Sequence, residues 1–241
     1  MKKAKLKKIT EKLSGYYGEP FDNKAKPGKI LDVLIATKLS QNTTDKSSYK
    51  AYRKLKEDFL TWDDVCNAEL SSIRNCIKVC GLANTKSKNI KEMLLKMRGN
   101  YGNLDLSFIK KFSNDEIYKE LLQYEGIGVK TISCVLIFAL GRDAFPVDTH
   151  VHRILNRLGI VKTNSAEKTF EAVKDVIPEG KKYRLHSELI KFGRNICKSN
   201  KPLCNVCFLY SECEFELKKI YRKNKIPAAI KENNFIILEN I

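Results

Sequence analysis

The stretch LeuLeuGlnTyrGluGlyIleGlyValLysThrIleSerCysValLeuIlePheAlaLeuGly, residues 121–141, organises the reading of this chain. A helix ends near Tyr124, a short turn carries Gly126 and Gly128, and a second, almost wholly apolar helix is expected over 130–140. A Gly-x-Gly turn between helices lets backbone N–H groups point outward at the start of the second helix, where the helix dipole also favours an anion. A phosphate is the natural ligand. Two glycines between helices are common, and Lys130 directly after them is what narrows the chemistry. An ammonium in the first turn of a helix lies at the positive end of the dipole, which favours the neutral, nucleophilic amine. Such a lysine can attack a sugar carbon or form a Schiff base; the simpler alternative is a lysine that only binds phosphate.

Downstream, AlaPheProValAspThrHisValHisArgIle places Asp148 between a proline-containing turn and the next helix. An aspartate there is an ordinary N-cap. It is also a carboxylate able to support an oxocarbenium-like centre or deprotonate a nearby amine, as glycosidic-bond cleavage requires.

Outward from this core the pattern is helical throughout. Residues 30–37 are nearly continuously apolar, and Tyr49, Tyr52, Leu55 and Phe59 follow at helical spacing behind the candidate caps Thr44 and Asp45. Further helices are expected at 61–67, 86–98, 114–123, 149–157, 165–176 and 182–196, with Gly81 ending an earlier one. No segment alternates as a strand does, so the fold class is all-α. No apolar run approaches the roughly 20 residues of a membrane span, and the Lys-rich start lacks the features of a signal peptide. A cytosolic protein is expected, or a nuclear one in a eukaryote, acting as a monomer and not at a membrane.

The 241 residues include 45 Lys and Arg against 28 Asp and Glu, a net charge of +17. With 43% hydrophobic residues the chain is a globular protein and not a disordered polycation. A surplus of this size suits a polyanionic partner, because neutralising phosphates releases counterions. Four of the eight cysteines crowd into one stretch, Cys197, Cys204, Cys207 and Cys213, spaced C-x6-C-x2-C-x5-C. In a reducing compartment such a group holds a metal more readily than disulfides, and the spacing alone permits either zinc or an iron–sulfur cube.

The GlyIleGlyValLys hairpin, the ValAspThrHis that follows it and the four-cysteine loop together resemble the endonuclease III group of base-excision DNA glycosylases, over about residues 28–215. The resemblance implies a two-domain helix-hairpin-helix fold with a DNA cleft between the domains: a helical barrel (32–142), a cluster domain (1–31 and 143–216), and a C-terminal extension of unknown role (217–241). It implies Lys130 as nucleophile, Asp148 as catalytic carboxylate, and a [4Fe-4S] cluster on the four cysteines. It implies a substrate of double-stranded DNA with a damaged base or abasic site, with oxidised pyrimidines leading. The alternatives are a monofunctional uracil, thymine-mismatch or 5-methylcytosine glycosylase, or a non-catalytic DNA-binding module. Gly126 and Gly128 would meet phosphate. In LysLeuSerGlnAsnThrThrAsp (38–45), Gln41 or Asn42 would fill the space of the flipped base, the family's glutamine falling at Asn42. Leu82 sits where the family has an intercalating residue. Lys198 and Lys201, in the cysteine loop, are placed for phosphates. His150 reads as a structural hydrogen-bonder.

Overall fold

The computed structural model describes residues 2–18, 28–225, 229–230 and 232–241. Residues 19–27 of the expected cluster domain, and 226–228 and 231 of the expected extension, lie outside the described residues. The chain divides into two compact units, one drawn from Met1–Lys24 and Asp143–Asn234, the other from Ala25–Arg142 and Phe235–Ile241.

Their first helices contrast. α1 (Lys2–Tyr17) buries only Leu6, Ile9, Thr10 and Leu13, a stripe at helical spacing on a lysine-rich helix. Every residue of α2 (Ile30–Leu39) is buried, which explains its near-continuous apolar run: a helix without a solvent face has no amphipathic period to display.

Around α2 the barrel unit wraps α3 (Asp45–Asp58), α4 (Trp62–Asn67), α5 (Leu70–Ile77), α6 (Ala83–Tyr101), α7 (Asn114–Leu122) and α8 (Val129–Cys134). Local sequence sets their starts. Thr44 caps α3, its hydroxyl accepting from the Ser47 N–H at 3.2 Å. Thr61 with Asp64, and Ser113 with Glu116, form reciprocal capping boxes on α4 and α7. Phe59, expected to continue α3, instead ends it in an extended conformation. Leu34, Leu39, Leu55, Ile73, Leu94, Leu121 and Ile132 have no exposed surface, each contributing roughly 1.5–3 kcal/mol by burial. The Trp62 indole N–H reaches buried Asp32 at 3.1 Å, so both polar groups are satisfied within the core.

The helix expected over 130–140 is broken in register. After α8 the chain makes a π-helical turn over Val135–Ala139, and the Leu140 N–H bonds to the Val135 carbonyl five residues back at 3.1 Å. All five residues of the turn are apolar and buried.

The cluster unit packs α1 with α9 (Thr149–Arg157), α10 (Ala166–Val173) and α11 (Lys182–Asn195). Its core joins Leu6, Ile9 and Leu13 to Val151, Ile154, Leu185, Leu189 and Phe192, with Leu209 from the cysteine loop. A buried Arg184–Glu188 pair at 2.8 Å anchors α1, since Arg184 also donates to the Ser14 and Gly18 carbonyls at 3.2 and 3.1 Å. After the loop comes the short α12 (Lys218–Arg222). Asn195 then holds Asn233 and Asn234 through bonds of 2.8 Å. Residues 235–241, read from the sequence as part of one extension over 217–241, group with the barrel unit. There Ile236, Ile237 and Leu238 are buried, the Ile237 N–H donates to Asp45 at 3.1 Å, and Phe235 meets Tyr49 edge-on. No described helix is long and apolar enough to cross a membrane.

Candidate functional site

In the barrel unit the hairpin between α7 and α8 is fixed by lysines acting on its carbonyls. Lys38, only 3% exposed, donates to the Glu125 carbonyl at 3.0 Å, and Lys96 donates to that of Gln123 at 3.0 Å. Burial pushes the Lys38 amine below its usual range, against the opposing pull of the Glu125 charge. Tyr124 is buried and accepts from Asn100 at 3.0 Å. The two glycines differ in what they do. Gly126 has φ +72°, a conformation that favours glycine, and a Cβ there would stand 2.6 Å from the Lys38 ammonium, which would have to shift. Gly128 has an ordinary φ of −112° and open space where a Cβ would be. Its absent side chain leaves room for something outside the chain. Lys130, half-buried, is the second residue of α8.

Two further turns of the same unit carry residues singled out from sequence. Among the described residues, three that are not glycine have φ in the left-handed region: Asn42 (53°), Leu82 (50°) and Lys201 (50°). All three are candidate DNA contacts by sequence. Asparagine tolerates this conformation, whereas leucine and lysine hold it at a cost of about 1–3 kcal/mol, and such strain gathers at functional positions. Leu82 is also 58% exposed, an apolar side chain in water on a strained backbone. Gln41 and Asn42 are exposed just past the end of α2.

Asp148 belongs to the cluster unit. It is the N-cap of α9, accepting the Val151 N–H on Oδ1 at 2.8 Å. His186, given no role by sequence, is buried and its Nδ1–H donates to the Pro146 carbonyl at 2.9 Å, securing the turn into Asp148. His150 lies 3.1 Å from Arg153, as a structural hydrogen-bonder would.

The four cysteines of the loop come together. Cys197, Cys204, Cys207 and Cys213 line one cavity, walled otherwise mostly by apolar side chains such as Leu158, Phe192 and Leu209. Around it, cationic side chains occupy the loop's carbonyls. Arg153 donates to Cys197 and Gly193 at 2.9 and 3.1 Å, and Arg157 to Lys198 and Ser199 at 2.8 and 3.0 Å, with its guanidinium 4.2 Å from the Phe215 ring centre. Lys218 donates to the Tyr210 and Cys213 carbonyls. Sequence reasoning passed over these cations; the signal was Arg153 and Arg157 four apart on a helix facing the loop. Lys198 and Lys201 are exposed.

Burial and the neighbouring thiols raise the Cys204 and Cys213 thiols, and burial above all pushes Cys207 up to about 12. These three thiols, gathered in a low-polarity cavity, resist ionisation unless a cation is bound beside them, which is the electrostatic condition of a metal site. No three His, Cys, Asp or Glu side chains among the described residues stand close enough to hold a single metal ion.

Residues 35–179 match the model of the HhH-GPD superfamily base excision DNA repair protein. An endonuclease III of Thermotoga maritima is 39% identical over 183 residues, 76% of this chain and 82% of that protein. A candidate DNA glycosylase of Arabidopsis thaliana is 41% identical over 189 residues, 76% of this chain but 64% of the relative, less than two thirds of its length. Among solved structures, a trapped endonuclease III–DNA covalent intermediate superposes with a TM-score of 0.74 at 26% identity, over 90% of this chain and 98% of that one. A hairpin closed by lysine, an exposed leucine on a strained turn and a four-cysteine cavity thus occur in a chain that belongs to the HhH-GPD superfamily of base excision DNA repair proteins, within the endonuclease III family.

Proposed function

We propose that the chain is a base-excision DNA glycosylase with abasic-site lyase activity, acting on oxidised pyrimidines in duplex DNA. The observation that carries this reading is Lys130 itself: a half-buried amine in the first turn of α8, behind a turn whose carbonyls are taken by Lys38 and Lys96. The target nucleotide leaves the stack, because C1′ is out of reach within it. The Lys130 amine then forms a bond to C1′ as the glycosidic bond breaks, its electron pair leaving with the base, and Asp148 takes the amine proton. Opening of the sugar ring gives a Schiff base. Loss of a C2′ proton expels the 3′ phosphate, and hydrolysis returns the lysine. Gly126 and Gly128 bring backbone to a phosphate, Gln41 or Asn42 and Leu82 occupy the vacated stack, and Lys198 and Lys201 hold the flanking strand.

The four loop cysteines fit a [4Fe-4S] cluster by donor type and by lining one cavity together, and Cys197, Cys204, Cys207 and Cys213 would be its ligands. When bound, the cluster supplies positive charge that keeps four thiolates together and so shapes the loop bearing Lys198 and Lys201.

Borohydride trapping and strand cleavage on duplexes carrying an oxidised pyrimidine, a uracil or thymine mismatch, 5-methylcytosine or a preformed abasic site test the reading. Wild type should be trapped and should cut the oxidised-pyrimidine and abasic duplexes. Lys130→Ala should lose both by at least ~10³-fold while still binding DNA, and Asp148→Asn should slow base release. Strand cutting by Lys130→Ala at the wild-type rate would overturn it.

A further inference from the structure

We infer that Lys86 is a positioning residue that couples the two left-handed turns of the barrel unit, so that Asn42 and Leu82 enter the DNA stack as one device. Lys86 lies on α6 and is 6% exposed. Its backbone N–H donates to the Leu82 carbonyl at 2.9 Å. Its ammonium donates to the Cys80 carbonyl at 3.0 Å and to the Leu39 carbonyl at 2.8 Å. One residue therefore grips both sides of the Gly81–Leu82 turn and, with the same ammonium, the last residue of α2, from which the Gln41–Asn42 turn departs.

The geometry at each turn needs such a grip. Gly81 has φ +69° and ψ 164°, a region essentially confined to glycine, and Leu82 follows in the left-handed region. Leu39 ends a helix, where carbonyls lack intrahelical partners and the dipole is negative, so an ammonium is favoured there without a carboxylate. Among the described residues Lys86 makes no ion pair: its charge rests on carbonyls of the two turns. An apolar side chain of equal length would fill the same space and leave Leu39 and Cys80 without their donor. Displacing either carbonyl moves the ammonium and, with it, the other carbonyl, a direct physical link between turns that sequence separates by some forty residues.

This inference rests on the glycosylase reading above, and the experiment separates the two. A double-mutant cycle of Asn42→Ala and Leu82→Ala is measured on kcat/KM for excision from duplex, in wild type and in Lys86→Met, with borohydride trapping of wild type on a preformed abasic duplex beside it. Failure of wild type to trap rejects the glycosylase reading. With trapping intact, coupling predicts that the double variant loses no more than about twofold beyond the worse single variant in wild type, whereas in Lys86→Met the two losses multiply. Lys86→Met itself should lower excision by about tenfold to a hundredfold, the effect of misplacing groups from outside the chemistry. Losses that multiply in wild type, singles without effect in wild type, or equal coupling in both backgrounds overturn the inference. Lys86→Gln, which keeps a donor but not the reach, carries the same cycle if the methionine variant does not fold.

Discussion

The barrel unit and the cluster unit solve the same problem with different materials. In the barrel unit an entirely buried helix, α2, packs chiefly against α3, α6 and α8, and Asp32 and the Trp62 indole pair in its interior. In the cluster unit the apolar core of α1, α9 and α11 gives way on one side to a loop held by Arg153, Arg157 and Lys218 on carbonyls, with four thiols on a cavity. Charge divides the same way. The cluster unit holds 25 of the 45 basic side chains against 14 of the 28 acidic ones, and the barrel unit 20 against 14. One unit is complete on its own apolar terms, while the other gathers cations and thiols whose energetics favour ligands of opposite charge. In the function proposed above, this separates Lys130 and the turns of Asn42 and Leu82 from the greater share of positive charge.

The comparison can be broken most forcefully at the cysteines. Cys207→Ser, or removal of iron, should abolish visible iron–sulfur absorbance and the cooperative unfolding of the cluster unit, while hydrogen exchange in α2 and α3 stays protected; equal loss of protection in both units would contradict the contrast. Leu34→Ala probes the other side. Deleting a side chain with no exposed surface from α2 should cost about 2–5 kcal/mol, read as a lower denaturation midpoint for the barrel unit with iron content unchanged.

A smaller effect distinguishes the hairpin glycines. Gly126→Ala should lose roughly 1–2 kcal/mol, from its left-handed φ and the displaced Lys38. Gly128→Ala should change stability by no more than about 0.5 kcal/mol yet weaken DNA binding, a split visible by melting beside fluorescence anisotropy.

The smallest effect is acid-dependent. Hydrogen bonds from Lys8 and Lys12 hold the Glu212 carboxyl down at about 2, below its ordinary 4.5. A depressed carboxyl contributes stability above its unfolded value, and this is lost as pH falls from about 4.5 towards 2. Glu212→Gln should flatten that part of the cluster unit's stability profile without altering the barrel unit's.

Much of this was legible in the sequence where the signal is local. The Thr44 cap, the hairpin glycines and the cysteine spacing lie within a few residues of their partners, and the all-α class follows from periodicity alone. What escaped reading depends on distant partners. Lys38 and Lys86 look like solvated charges in sequence, yet each is buried on a carbonyl 87 or 47 residues away. Arg157 reaches Lys198 across 41 residues. The π-helical turn after α8 keeps its apolar composition, so the change of register leaves no trace in residue type.

The division of the chain also sets the order in which it can be finished. α1 waits for α9 and α11, more than a hundred residues later, and the face of α2 and α3 covered by Ile236, Ile237 and Leu238 stays open until residues beyond 234 have been synthesised. Neither unit is contiguous, so neither can be sealed as it emerges from the ribosome, and the long loop closures place this chain among the slower-folding helical proteins. The loop cysteines, at 197–213, emerge before the barrel unit is closed, so in the proposed reading cluster assembly and the final packing of that unit fall in the same late interval.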